Sequence, residues 1–186
     1  MTPDEFDART SMFPCLQYGM WPSELYLFAS ACVDAGVTAV VESGVYNGVS
    51  TQVLHALFPG QVVSVEYDKS HLPKDFPFPV QIGDGAVLAP RAIARMVMLG
   101  VTAIGVLLDG PKSLRARAIK DQCVHDYPAV RVVGIHDHKP GLGFGETSHS
   151  WNPAFREAVG RHLDARVPLA SREAHPKGPG LALWIR

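Results

Sequence analysis

The chain has 186 residues, of which 47% are hydrophobic and 19% charged, and its formal net charge is -1. That length suits one domain with a sizeable core, and the composition excludes a disordered chain. Lys and Arg are scattered and balanced by acids, so there is no electrostatic footprint for nucleic acid or an anionic membrane.

Cys15, Cys32 and Cys123 are odd in number and form no C-x-x-C, which reads as reduced thiols without a functional role. The N-terminus is acidic and lacks an apolar signal core. The longest apolar run, Leu25 to Val33, is broken by Ser30 and too short for a bilayer. A soluble, cytoplasmic protein is expected.

Residues 1–21 carry mixed signals and are read as an N-terminal arm, packed over the domain or lining a substrate pocket. The single domain then runs over 22–186. Trp21-Pro22-Ser23-Glu24 reads as a helix start, with Leu25, Phe28, Ala29 and Cys32 on one face and Gly36 as the stop. A β-branched strand follows at 38–43. The Gly-containing turn Glu42-Ser43-Gly44-Val45-Tyr46-Asn47-Gly48 then opens a helix over about 50–58, with Val53, Leu54, Leu57 and Phe58 on its apolar face. Such a turn lets backbone approach a ligand and offers unpaired N–H groups at the helix start.

The second strand, 61–66, ends in Glu66. Residues 67–79 contain three prolines, Pro73, Pro77 and Pro79, which argues against a full helix there. A short strand Val80–Ile82 leads into Gly83-Asp84-Gly85 and a helix through Met98. Val101 to Leu108 is a near-continuous apolar run suited to a central parallel strand, ending in Asp109-Gly110-Pro111-Lys112. A helix near 113–126 precedes the buried strand Val130–Ile135, which ends in His136-Asp137-His138. The Gly- and Ser-rich stretch 139–152 reads as a functional or mobile loop. A helix near 153–164 and weaker strands near 166–171 and 181–186 complete the chain.

This alternation predicts an α/β doubly wound, Rossmann-like sheet of seven strands, mostly parallel, with the last strand antiparallel. Acids stand at the carboxyl ends of successive strands: Glu42, Glu66, Asp84, Asp109 and Asp137. Ligands of open α/β sheets bind at that edge, and in nucleoside-binding doubly wound folds the carboxylate ending the second strand accepts the ribose hydroxyls.

With these residues in view, the chain resembles the class I S-adenosylmethionine-dependent methyltransferases over residues 22–186. Within them it is most similar to the small metal-dependent O-methyltransferases of the catechol and macrocin type. Glu42-x-Gly44-x-x-x-Gly48-x-Ser50 looks like their first motif, Glu66 their ribose acid, and Gly83-Asp84-Gly85 their adenine-side turn. The resemblance implies a cofactor site of Glu42, Gly44, Tyr46, Gly48, Ser50, Glu66, Tyr67, Asp84, Gly85 and Asp109. It implies Asp109, Asp137 and His138 as ligands of a divalent metal, Mg or Mn. Asp109 and Lys112 would be catalytic, with Lys112 the base that takes the acceptor's hydroxyl proton. The expected activity is methylation of a small hydroxylated molecule, and a homodimer is left open. The chain departs from the family pattern in having only two glycines in the first motif, His138 in place of an oxygen ligand, and a proline-rich segment after Glu66.

Other readings of the same residues stay open. His136 and His138 would share one face of the strand and Asp137 the other, so either face but not both could ligate a metal, the other reading being polar loop residues with one His packed. With Asp109 and His149 they would suit a metal-dependent hydrolase. Asp121 and His125 read as an exposed helical pair. A non-catalytic S-adenosylmethionine-binding scaffold is the third reading. A dehydrogenase is disfavoured by the glycine spacing and the lack of Tyr-x-x-x-Lys.

Overall fold

The computed structural model describes residues 1–13, 20, 22–110, 113–136 and 181–186. The expected loop 139–152, the helix near 153–164 and the strand near 166–171 lie outside the described residues. So do Cys15, Lys112, Asp137, His138 and His149.

The described chain forms five α-helices around six strands in the order β3-β2-β1-β4-β5-β6. The strands are β1 (Ala39–Ser43), β2 (Val62–Glu66), β3 (Val80–Ile82), β4 (Ile104–Leu108), β5 (Val130–Ile135) and β6 (Ala182–Ile185). β1 to β5 pair in parallel, with Val41 opposite Val63 on one side and Val106 on the other, and β6 runs antiparallel to β5. The mostly parallel sheet with an antiparallel last strand is as expected. Six strands are described, where seven were expected.

The two-residue period of the strands divides the core into two layers. Val40, Val62, Leu107, Val132 and Leu183 face α2 (Pro22–Asp34) and α3 (Val49–Leu57). Val41, Val106, Leu108, Val133 and Trp184 face α4 (Gly85–Met98) and α5 (Ser113–Asp126). β1 and β4 are buried along their whole length, which is why they read as continuous apolar runs. Strand β4 begins later than its apolar run, because the Val101 N–H bonds to Met96 O and closes the end of α4. Cys32 and Cys123 are core residues, with their thiol pKa values pushed up by burial, that of Cys123 to about 12.

The arm contains a helix absent from the sequence reading, α1 (Pro3–Thr10). Thr2 and Glu5 form a reciprocal capping box, at 3.2 and 2.7 Å. Phe6 is buried edge-on against Tyr26 of α2, with ring centroids 5.6 Å apart. Arg9 donates to Ala56 O and Leu57 O at 2.6 and 2.9 Å, closing the carboxyl end of α3. Between β2 and β3 the prolines act as predicted: one short 3-10 turn, Lys69–His71, stands where a helix would otherwise cross. No helix among the described residues is long and apolar enough to cross a membrane.

Candidate functional site

In this strand order the chain reverses its direction of travel at β1 and β4, and the crevice outside their carboxyl ends is the ligand position of open α/β sheets. A cleft of about 240 Å³ lies there, lined by Ser43 and Gly44 after β1, Glu66 and Tyr67 after β2, Asp84 and Gly85 after β3, and Gly110 and Arg115 beyond β4. Six of the residues implied by the resemblance line or adjoin it: Gly44, Glu66, Tyr67, Asp84, Gly85 and, next to Gly110, Asp109.

Glu66 organises the loops around the cleft. Its Oε2 accepts from the N–H groups of Val45 and Tyr46, both at 2.7 Å, and its Oε1 from those of Tyr67 and Asp68 at 2.7 and 3.1 Å. One carboxylate thus holds the β1–α3 turn against the end of β2, satisfying N–H groups that no ladder reaches. Tyr46 sits at φ +51, uncommon for a residue with a side chain, and its ring leans on His71 with centroids 4.8 Å apart. Tyr46 and Tyr67 are both exposed.

Glu42 and Ser50 face the other way. The Glu42 carboxylate is wholly buried and accepts from the hydroxyls of Ser50, Thr51 and Ser64 at 2.5, 2.6 and 2.9 Å. It ties β1, β2 and the first turn of α3 from inside the protein and does not line the cleft. Burial pushes its pKa up to about 7 against the opposing pull of the three hydroxyls, with nearby Asp109 adding to the rise.

The two glycines of the turn make room for protein. A Cβ on Gly44, at φ +97, would fall 1.9 Å from the Gly110 nitrogen, so the turns after β1 and β4 touch backbone to backbone. Ser43 O accepts from the N–H groups of Asp109 and Gly110, both at 2.7 Å, at the same junction. A Cβ on Gly48, at φ +82, would fall 2.1 Å from the Phe76 ring. Gly44 also lines the cleft, whereas Gly48 does not.

Asp84 caps α4 by accepting from the Ala86 N–H at 2.9 Å, and its other oxygen pairs with Arg115. At the end of β4, Asp109 Oδ1 lies 2.6 Å from His136 Nδ1, and His136 Nε2 lies 3.1 Å from Glu24 Oε2 of α2. All three side chains are largely enclosed, at 15, 8 and 2% exposure for Asp109, His136 and Glu24. Burial alone would lower the His136 pKa, but hydrogen bonds to Asp109 and Glu24, and their charges, push it up to about 10. His136 thus bridges the two carboxylates, one at each ring nitrogen. Among the described residues no group of three or more His, Cys, Asp and Glu side chains is arranged to hold a metal ion.

Glu24 and Arg115 escaped the sequence reading. Glu24 stands in the first turn of α2, where an acid is ordinary helix chemistry. Arg115 meets Asp84 across 31 residues of sequence, a pairing with no local signal. His136, in sequence a candidate metal ligand or a packed histidine, is packed between two carboxylates.

The sequence matches no protein-family model and no curated protein. Among solved structures the chain is similar to cofactor-bound Rv0187 from MTB, with a TM-score of 0.52 at 14% identity over 98% of this chain and 88% of that one. It is also aligned with MycE methyltransferase of the mycinamycin biosynthetic pathway, in complex with Mg and SAH, at a TM-score of 0.49 and 15% identity over 97% of this chain and 53% of that one. A third, an S-adenosyl-L-methionine methyl transferase from Silicibacter pomeroyi DSS-3, gives 0.47 at 15% over 99% and 96%. The likeness to Rv0187 shows the fold, which is Rossmann-like.

Proposed function

We propose that the protein is an S-adenosylmethionine-dependent methyltransferase acting on a small hydroxylated molecule. The observation that carries this reading is the cleft at the carboxyl edge of the sheet, lined by Glu66 at the end of β2 and Asp84 at the end of β3. These are the places from which a doubly wound nucleoside site takes its ribose and base acceptors. The residues present fit such a cofactor, because Glu66 is already fixed as an acceptor aimed at the loop the nucleoside would lie on. When bound, the cofactor supplies an electrophilic methyl group on a sulfonium.

What the chain itself supplies is position and proton management. A carboxylate has about four lone-pair sites, and four backbone N–H groups point at those of Glu66. Ribose hydroxyls therefore bind by replacing some of these bonds, which couples cofactor binding to a shift of the adjoining turn. Asp109, held by His136, which Glu24 braces from its other ring nitrogen, presents a fixed acceptor for the hydroxyl of the methyl acceptor. Lys112 follows it by three residues and is the base in this proposal.

A divalent Mg or Mn would be held by Asp109, Asp137 and His138 and would lower the pKa of the acceptor hydroxyl. The described residues do not make that site: Asp109 is the one expected ligand among them, and its Oδ1 is bonded to His136. A hydrolase built on His136 fares no better, because both of its ring nitrogens are taken by carboxylates.

Calorimetric titration with S-adenosylmethionine tests the reading. The wild type is expected to bind, and Glu66→Ala to lose about 1.5–3 kcal/mol, roughly tenfold to a hundredfold. Absent binding, or an unchanged affinity in the variant, would overturn this placement, and binding without turnover on any hydroxylated acceptor would favour the scaffold.

A further inference from the structure

A second concavity, of about 610 Å³, lies beside edge strand β3 and is lined by the segment that replaces the β2–β3 helix. Its volume falls in the range of about 300–1,000 Å³ usual for small-molecule sites. The groove follows from the sequence: the prolines of 67–79 forbid a covering helix, so the apolar side chains of Val80 and Ile82 are left without a cover. Ile82 is 50% exposed.

Two aromatic side chains line the groove, and both are fixed from behind. Phe76 lies against the backbone of Gly48, where even a Cβ would collide with its ring. Phe78 stacks on His55 of α3, with centroids 4.0 Å apart and planes 11° from parallel, and meets Phe76 edge-on at 5.8 Å. Rings held in this way lose little freedom on binding a ligand.

The charge is of one sign. Lys69 and Lys74 line the groove, no acidic residue does, and neither lysine has a carboxylate partner among the described residues. Asp68, the acid beside Lys69, is engaged by the Ser70 N–H and hydroxyl. We propose that this groove is a second ligand site, taking a small molecule with an aromatic or apolar body and a carboxylate or phosphate group. The rings and Ile82 would cover the body, and the two ammonium groups would hold the anion. The groove shares no lining residue with the cleft at the carboxyl edge, so the proposal does not depend on methyl transfer.

Phenyl phosphate serves as the probe, titrated calorimetrically into the full chain beside phenol and inorganic phosphate. Phenyl phosphate is expected to bind at least tenfold tighter than either fragment. The double variant Lys69→Gln, Lys74→Gln is expected to weaken it tenfold or more while leaving S-adenosylmethionine affinity unchanged. Ile82→Glu, which places a carboxylate on the exposed edge without touching the core, is expected to abolish binding. Inorganic phosphate binding as tightly as phenyl phosphate would mean an adventitious ion only and overturn the proposal. Absent binding at millimolar probe, or binding unaffected by both variants, would overturn it as well.

Discussion

Replacing Glu42 by Gln separates a buried structural acid from a ligand-binding one. The carboxyl has no exposed surface, and its pKa rises from 4.5 to about 7, chiefly because burial disfavours the charged form. At ~1.36 kcal/mol per pH unit, a rise of that size corresponds to about 3 kcal/mol. The direction follows from proton uptake. The folded state keeps the proton to higher pH than the unfolded chain, so this group's stabilisation is whole below pH 4.5. It falls as pH rises toward 7 and is flat above that. Gln has the same shape, does not titrate, and leaves the hydroxyls of Ser50, Thr51 and Ser64 with polar partners. Urea unfolding of wild type and Glu42→Gln at half-unit steps from pH 4.5 to 8 should therefore give two curves that diverge. The variant should gain on the wild type by about 3 kcal/mol between the two ends. Its affinity for S-adenosylmethionine should stay within twofold, because Glu42 does not line the cleft. Parallel stability curves would refute the buried, proton-holding carboxyl. A variant that folds normally but no longer binds the cofactor would refute its assignment to the interior.

Two further outcomes are expected. Gly44→Ala places a Cβ 1.9 Å from the Gly110 nitrogen at a left-handed φ, so it should cost about 3 kcal/mol or more in thermal or urea unfolding; a loss below 1 kcal/mol would show that the turns after β1 and β4 are not in contact. In the metal-assisted form of the proposed reaction, exhaustive chelation should lower methyl transfer and added Mg or Mn restore it, whereas chelator-insensitive transfer would remove the metal and leave the acceptor's proton to Lys112.

Much of the fold could be read from residue pattern because each signal was local. The strand Val80–Ile82 is found where its apolar residues and flanking prolines set it, and the helix at 113–126 has the expected bounds. Helix α5 buries Ala116, Ile119 and Cys123, and with them Arg117 and Lys120. Helix α1 was missed although Thr2 and Glu5 stand at capping-box spacing, because its burial rests on Phe6 and Thr10 alone and leaves no apolar stripe. The polar groups were harder to read, since their meaning depends on partners distant in sequence. Glu24 gains its role only when α2 crosses the end of β5, and Arg115 only when α5 starts beside Asp84.

The strand-end acids show why the edge was legible and the roles were not. A parallel sheet leaves N–H groups unpaired at its carboxyl end and at the helix starts that follow, so acids collect there whatever the protein binds. Each of the four described acids has a protein donor: Glu42 three hydroxyls, Glu66 four backbone N–H groups, Asp84 a helix start and Arg115, Asp109 His136. What separates them is which of them line the cleft. Glu42 is sealed inside, so no ligand reaches it without unfolding the turn. Glu66 and Asp84 line the cleft, where a ligand donor can take the place of a protein donor once the displaced group finds another partner, since leaving it unpaired would cost about 1–3 kcal/mol. Asp109 adjoins the cleft beside Gly110 without lining it, and its bond to His136 fixes its direction, which in the proposed reaction suits an acceptor that a substrate hydroxyl approaches.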